Sequence, residues 1–219
     1  MSGKVVRSIA LNPGDHAVHL HRSFAEQKEV LLAFFRDGLE NCEHCVYITS
    51  DVSADDWFFE FQAYGVDVQR EREKGALQIV HRDEWRSPEG FSSIAQARKT
   101  LAYIDRAMGT NGLRIAGDAA WALRPELPID LLCHWEATAN LIYERQPIRV
   151  ICQYDLDAHS PDGIRAALRT HPVVILEGHR CENPFYEAPV ILEYEPLLSD
   201  SCADPEQIER MLARLRSQF

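Results

Sequence analysis

The stretch from Asp15 to Asp51, DHAVHLHRSFAEQKEVLLAFFRDGLENCEHCVYITSD, constrains this chain most, because its hydrophobic period changes twice in a short span. Ala17 to Leu20 is a mostly apolar run, flanked by His16 and His21 and interrupted by His19, as in a strand that reaches a polar edge. Ser23 with Glu26 three places on is a capping-box pattern, which predicts a helix from about Phe24. Phe24, Val30, Leu31, Phe34, Phe35 and Leu39 then recur at roughly helical spacing and leave Glu26, Gln27, Lys28, Arg36 and Asp37 outside. Cys45 to Thr49 follows as a second buried strand, so the unit reads as a parallel βαβ crossover. Ligands of open parallel sheets bind beyond the carboxyl ends of the strands. His19, His21, Arg22 and the run Thr49 to Asp51 therefore fall at the working edge. A version that grips a nucleotide carries GxxxxGK[ST] between the first strand and the helix. Here that turn is His21-Arg22-Ser23-Phe24-Ala25-Glu26, without glycine or lysine. The frame of a nucleotide-binding fold is present and its phosphate grip is missing.

Beyond this unit, strand and helix patterns alternate to the end of the chain. Residues 1–14 read as a lead-in closed by the Asn12-Pro13-Gly14 turn. Ser53 to Asp56 caps a helix bearing Trp57, Phe58, Phe61 and Tyr64, a stripe of core-packing type, with Gly65 as its stop. Val66 to Gly75 is a polar turn or short helix, Ala76 to Val80 a third strand, and His81 to Gly90 a loop. Ser92 to Met108 predicts a long helix with Ile94, Ala97, Leu101, Ile104 and Met108 inward. Leu113 to Asp118 and Ile148 to Asp155 are the fourth and fifth strands, and each ends on an acid. Between them Leu127 to Arg145 is helical, with Leu131, Leu132, Trp135 and Leu141 among its apolar positions. Pro161 opens a helix to about Thr170, Val173 to Leu176 is a sixth strand, and Asp204 to Phe219 is a last helix with Ile208, Met211, Leu212 and Leu215 as its stripe. That alternation predicts a three-layer α/β sandwich with a mostly parallel sheet, one domain over residues 15–219 including the C-terminal helix.

A net charge of −11 argues against direct binding to nucleic acid, which needs a positive surface. No apolar run approaches the ~20 residues of a membrane helix, and residues 1–16 hold no secretory pattern, so the expected location is the cytoplasm. Six cysteines, several in predicted strands, then read as reduced thiols rather than as a disulfide framework.

The strand ends collect His19, His21, Arg22, Ser50, Asp51, Asp118, Trp121, Gln153, Tyr154 and Asp155 as candidate ligand-binding residues. His19, His21 and Arg22 would supply polar contacts, Trp121 and Tyr154 apolar walls, and Asp118 and Asp155 an orienting charge. The plain competing reading is that strands end on polar residues because they emerge into water there. His19-x-His21 and Cys42-x-x-Cys45 invite a metal, with Cys133-His134, Cys152 and Cys181 as remote partners. Yet there is one CxxC, no second, and no HExxH, and Cys45 and Cys152 lie in core strands. The expectation is therefore no resident metal or other cofactor, with His19, His21, Cys42 and Cys45 as the weak metal candidates. No GxSxG elbow and no GxGxxG after a strand are present. Asp118 closes its strand as a Walker B acid would, without the lysine such an acid works beside.

Several ordered blocks resemble the MEDS domain, the sensory domain of the dichloromethane-dehalogenase regulator and of methanogen and methylotroph regulators. They are the block from His16, Gly38 to Asp51, Tyr64 to Val68, Gly75 to Ile79, Gly112 to Leu123, Cys152 to Asp155, Leu168 to Pro172 and Glu182 to Tyr186. That family looks like a degenerate relative of RecA/KaiC-type ATPases, in agreement with the missing phosphate loop. The resemblance implies a signal-sensing module for small organic compounds, commonly joined to a DNA-binding domain or a histidine kinase. It fills nearly all of this chain and leaves no helix-turn-helix segment, which implies output through a protein partner such as a histidine kinase or a regulator. The expected function is a non-enzymatic sensor of a small ligand; a metal- or redox-responsive sensor, a nucleotide-binding degenerate ATPase and a pure interaction protein are the alternatives. A homodimer is open.

Overall fold

The computed structural model describes residues 6, 8–50, 52–85, 92–120, 129–189 and 203–219. At its centre stands a seven-stranded sheet in the order β3-β2-β4-β5-β1-β6-β7. The strands are β1 (His16–His21), β2 (His44–Thr49), β3 (Leu77–His81), β4 (Leu113–Asp118), β5 (Ile148–Asp155), β6 (Val173–Leu176) and β7 (His179–Glu182). All pair in parallel except β7, which turns back antiparallel on β6 through Glu177-Gly178. The helices are α1 (Phe24–Glu40), α2 (Ala54–Ala63), α3 (Val68–Glu73), α4 (Arg82–Trp85), α5 (Ser93–Arg106), α6 (Ile129–Tyr143), α7 (Pro161–Thr170) and α8 (Pro205–Arg216).

Local signals explain most element starts. Ser23, Ser53, Asp67, Ser92, Ser160 and Asp204 each accept a hydrogen bond from a backbone N–H of the helix they precede. Period-two alternation then assigns the two sheet faces. Ala17, Cys45, Tyr47, Ala116, Ile151 and Ile175 pack with α1 and α2 around Phe34, Phe35, Trp57 and Phe61. The opposite face carries two clusters. Val46, Ile115 and Val150 meet Trp135, Ala139 and Tyr143 of α6. Val18, Leu20, Tyr154 and Val174 meet α7 and the Ile208, Leu212 and Leu215 stripe of α8. The expected three layers and mostly parallel sheet are thus the observed ones.

The crossover read from Asp15 to Asp51 is parallel, but β4 and β5 stand between β1 and β2. The expected loop after β3 contains the short α4. The inward face of α5 is corrected. Ile94, Leu101 and Met108 are exposed, whereas Gln96 and Thr100 are buried. The sheet beneath α5 presents a cavity rather than a flat apolar surface, so the helix turns a mixed polar face inward. Asp51 and Trp121 lie outside the described residues.

Candidate functional site

The strand-end residues occupy different faces and depths. His19, His21, Gln153 and Asp155 sit on the α1 side. Gln27 Nε2, in the first turns of α1, donates to Gln153 Oε1 at 3.1 Å, and Gln153 Nε2 lies 3.5 Å from His19 Nδ1. The His19 and His21 rings stand 5.4 Å apart. His19 is fully enclosed, and burial with His21 alongside holds its pKa well below the ordinary value. Arg22 is engaged by Asp157 and Glu209, both at 2.6 Å. Asp155 accepts from the Asp157 and Ala158 amides, and Asp118 from the Ala120 amide, so both carboxylates order their own turns. Ser50 Oγ lies 3.5 Å from the Asp118 carbonyl. Tyr154 faces the other way, toward α6 and α7, with its ring beside His159 and His171. Cys42 and Cys45 lie at the amino end of β2, across the sheet from His19 and His21 at the carboxyl end of β1. The structure therefore does not assemble those four into one metal site.

On the α5/α6 side of the sheet there is a cavity of about 70 Å³. Ile48, Ile115 and Val150 form its sheet wall, Trp85 and Trp135 close it from the helices, and Gly117 leaves room at the carboxyl end of β4. Gln96, Thr100, Glu136 and Cys152 supply its polar atoms. Such a volume holds a few waters or one small organic molecule. Apolar walls with a few convergent polar groups are the usual make-up of a small-molecule site.

Glu136 and Cys152 also belong to a buried group with His16 and His171, whose candidate ligand atoms all lie within 4.8 Å of one another. His16 Nε2 is 3.4 Å from Glu136 Oε2 and 3.4 Å from Cys152 Sγ. Glu136 Oε2 is 3.8 Å from both Cys152 Sγ and His171 Nε2. Tyr154 also hydrogen-bonds to Glu136. Burial pushes His16 down to about 4 and His171 down to about 3, and it raises the Glu136 and Cys152 pKa values. Among protein atoms alone, the group is thus driven to its uncharged forms.

Reading the sequence for the carboxyl ends of strands named only Cys152 of this group, as a remote metal partner, because His16 opens β1, Glu136 and Cys152 lie within α6 and β5, and His171 follows α7. One signal was available: Glu136 and Asn140 are four apart in the otherwise apolar stretch of α6, so their polar atoms share one helix face toward the sheet. A polar i, i+4 pair on a core-facing stripe demands partners.

A parallel sheet in this order, with its first helix rising from a β1 turn that has lost the glycines and lysine, defines a RecA/KaiC-like α/β domain. It is similar to the flagellar accessory protein FlaH from Methanocaldococcus jannaschii, with a TM-score of 0.53 and 13% identity over 76% of this chain and 72% of that one. It is similar as well to the KaiC-like protein PH0186 from Pyrococcus horikoshii OT3, with a TM-score of 0.53 and 20% identity over 75% and 71%. None of the curated proteins matches the chain in sequence. The chain belongs to the MEDS family, the methanogen/methylotroph, DcmR sensory domain, whose family model matches residues 15–172.

Proposed function

We propose that this domain senses a small organic molecule held in the cavity between the sheet and helices α5 and α6, and that it acts by binding rather than by catalysis. The observation that carries the reading is the cavity itself, walled by Trp85, Trp135 and three aliphatic side chains, with Glu136 and Cys152 as its polar end. The energetics favour a ligand that uses both ends. Four or five buried methylenes at ~0.8 kcal/mol each give about 3–4 kcal/mol before entropy losses, which alone supports only millimolar affinity. Hydrogen bonds to the polar end must supply the remainder and the specificity.

Several features speak against a nucleotide at the carboxyl edge. Ser23 and Glu26 cap the start of α1 from within the chain, and the Glu26 carboxylate accepts the Arg22 amide at 2.9 Å. An acid therefore stands where a phosphate would have to bind. The adjacent Arg22 is already engaged by two carboxylates.

Ligand entry would bias the packing of α5 and α6 on the sheet between two arrangements. A partner protein, such as a histidine kinase or transcription regulator, reads that change. Ile94 and Leu101 of α5 and Leu131 and Leu141 of α6 are exposed apolar side chains that such a contact can use.

Trp fluorescence and thermal-shift titrations with small organics test the reading, with Gly117→Ala as the control. A Cβ at Gly117 meets only Ile48 Cδ1 at 3.9 Å, so the variant folds normally while narrowing the cavity. We expect saturable shifts in the native chain that weaken several-fold in the variant. Shifts equal in both proteins would place the ligand elsewhere. A shift with magnesium ATP alone would replace this reading with the nucleotide one, since any ligand of the native state must stabilise it.

A further inference from the structure

The group at the cavity floor has a property that the sensing role does not require. His16, on β1, directs Nδ1 at Asn140 Oδ1, 3.1 Å away. The Asn140 amide nitrogen donates to the carbonyls of Glu136 and Thr170, at 3.1 and 2.8 Å, so its orientation is set and its oxygen must face His16. Nδ1 of His16 is therefore the protonated nitrogen, and Nε2 carries the lone pair. His171, just after α7, directs Nδ1 at the Ala167 carbonyl at 2.8 Å, which likewise leaves the lone pair on Nε2. Both lone pairs point into the space shared with Glu136 and Cys152.

One of these lone pairs is unmatched. The thiol can donate to His16, but Glu136 Oε2 stands 3.8 Å from His171 Nε2, beyond hydrogen-bond reach, and that nitrogen has no hydrogen-bond partner although the side chain is fully buried. Leaving such a buried atom unmatched is destabilising, because it has given up water and gained no partner. A cation bound in that space would engage it together with the other three groups.

We propose that His16, Glu136, Cys152 and His171 form a four-coordinate site for a divalent first-row transition metal, zinc first. Zinc ligand bonds of ~2.0–2.3 Å to N, O and S imply tetrahedron edges of about 3.3–3.7 Å. Four of the six edges measure 3.4, 3.4, 3.8 and 3.8 Å, and the other two, both to His171 Nε2, lie within 4.8 Å, so His171 has to close by up to about 1 Å. Charge agrees as well: a dication with one thiolate, one carboxylate and two neutral imidazoles sums to zero, the state a buried site tolerates. The two fixed Nδ1–H bonds are the outer-shell arrangement that orients ligating imidazoles. Asn140 is a positioning residue here. The Glu136–Cys152 edge, which also lines the cavity, places the metal beside whatever enters it.

The test is metal analysis of untagged protein, purified and then reconstituted with zinc, together with cobalt(II) substitution in the native chain. One equivalent of metal is expected, along with the intense visible bands of four-coordinate cobalt and a thiolate-to-cobalt charge-transfer band. Cys152→Ala should abolish that band and most of the metal, whereas Cys42→Ser combined with Cys45→Ala keeps both. Asn140→Ala should weaken chelator-competed affinity by about 10–100-fold. Iron or cobalt in place of zinc, with the same dependence on Cys152, supports the site. Less than a tenth of an equivalent after reconstitution, a six-coordinate cobalt spectrum, or full retention in Cys152→Ala would overturn it. The native-chain spectrum decides the matter even if a variant fails to fold. Because these measurements use no organic ligand, their failure leaves the cavity reading to its own titrations.

Discussion

At the scale of single residues, Glu43 ties three neighbouring strands together at the amino end of the sheet. It is buried where β2 begins and holds two guanidinium groups: Arg114 from β4 through a short contact and Arg149 from β5 at 2.8 Å. Arg114 also donates to the Phe34 carbonyl at 2.6 Å and lies over that ring. Gly38 makes room for it, since a Cβ there would come within 2.6 Å of Arg114 Cδ. A surface ion pair contributes ~0–1 kcal/mol, but removing one partner of a buried pair costs ~3–5 kcal/mol because it strands a charge. Glu43→Ala is therefore expected to lower the urea-unfolding free energy by about that larger amount. A loss under 1 kcal/mol would mean that water reaches Arg114.

At the scale of elements, α5 and α8 make opposite use of their apolar stripes. Leu101 of α5 is 44% exposed, while Leu212 of α8 is fully buried against α7 and the sheet. Leu212→Ala should cost about 2–5 kcal/mol, as expected for a core truncation. Leu101→Glu should change stability by no more than about 0.5 kcal/mol. Chemical denaturation of the two variants side by side checks both. A costly Leu101→Glu would show that this face of α5 is covered in solution.

For the whole molecule, the buried histidines set the acid limit of stability. The folded pKa of His19 lies well below the ordinary 6.5 because burial excludes the charged ring. Between those two values the unfolded chain binds a proton that the fold rejects, so stability is constant above about pH 6.5 and falls as pH drops below it. Each such group contributes a slope of up to ~1.4 kcal/mol per pH unit. Replacing His19 with Asn should flatten the acid limb by about that slope while leaving the neutral plateau nearly unchanged. An unaltered limb would show that His19 takes up its proton without unfolding.

Much of the fold was legible in the residues alone because its determinants are local. Serine and aspartate caps, period-two strands and period-3.6 stripes are set by backbone geometry within a few residues, and they located most elements and the missing phosphate loop. The inward face of α5 was not legible, since Ile94 and Leu101 have the same spacing whether a helix covers a flat sheet or bridges a cavity. Nor was the gathering of His16, Glu136, Cys152 and His171. These residues come from β1, α6, β5 and the turn after α7, and only the strand order that sets β5 beside β1, with α6 and α7 packed on the same face, brings them within 4.8 Å. The elements, the layering and the turn without glycine or lysine after β1 were all readable along the chain, because each is set by near neighbours. Which polar side chains meet depends instead on strand order and facing, which no local pattern records.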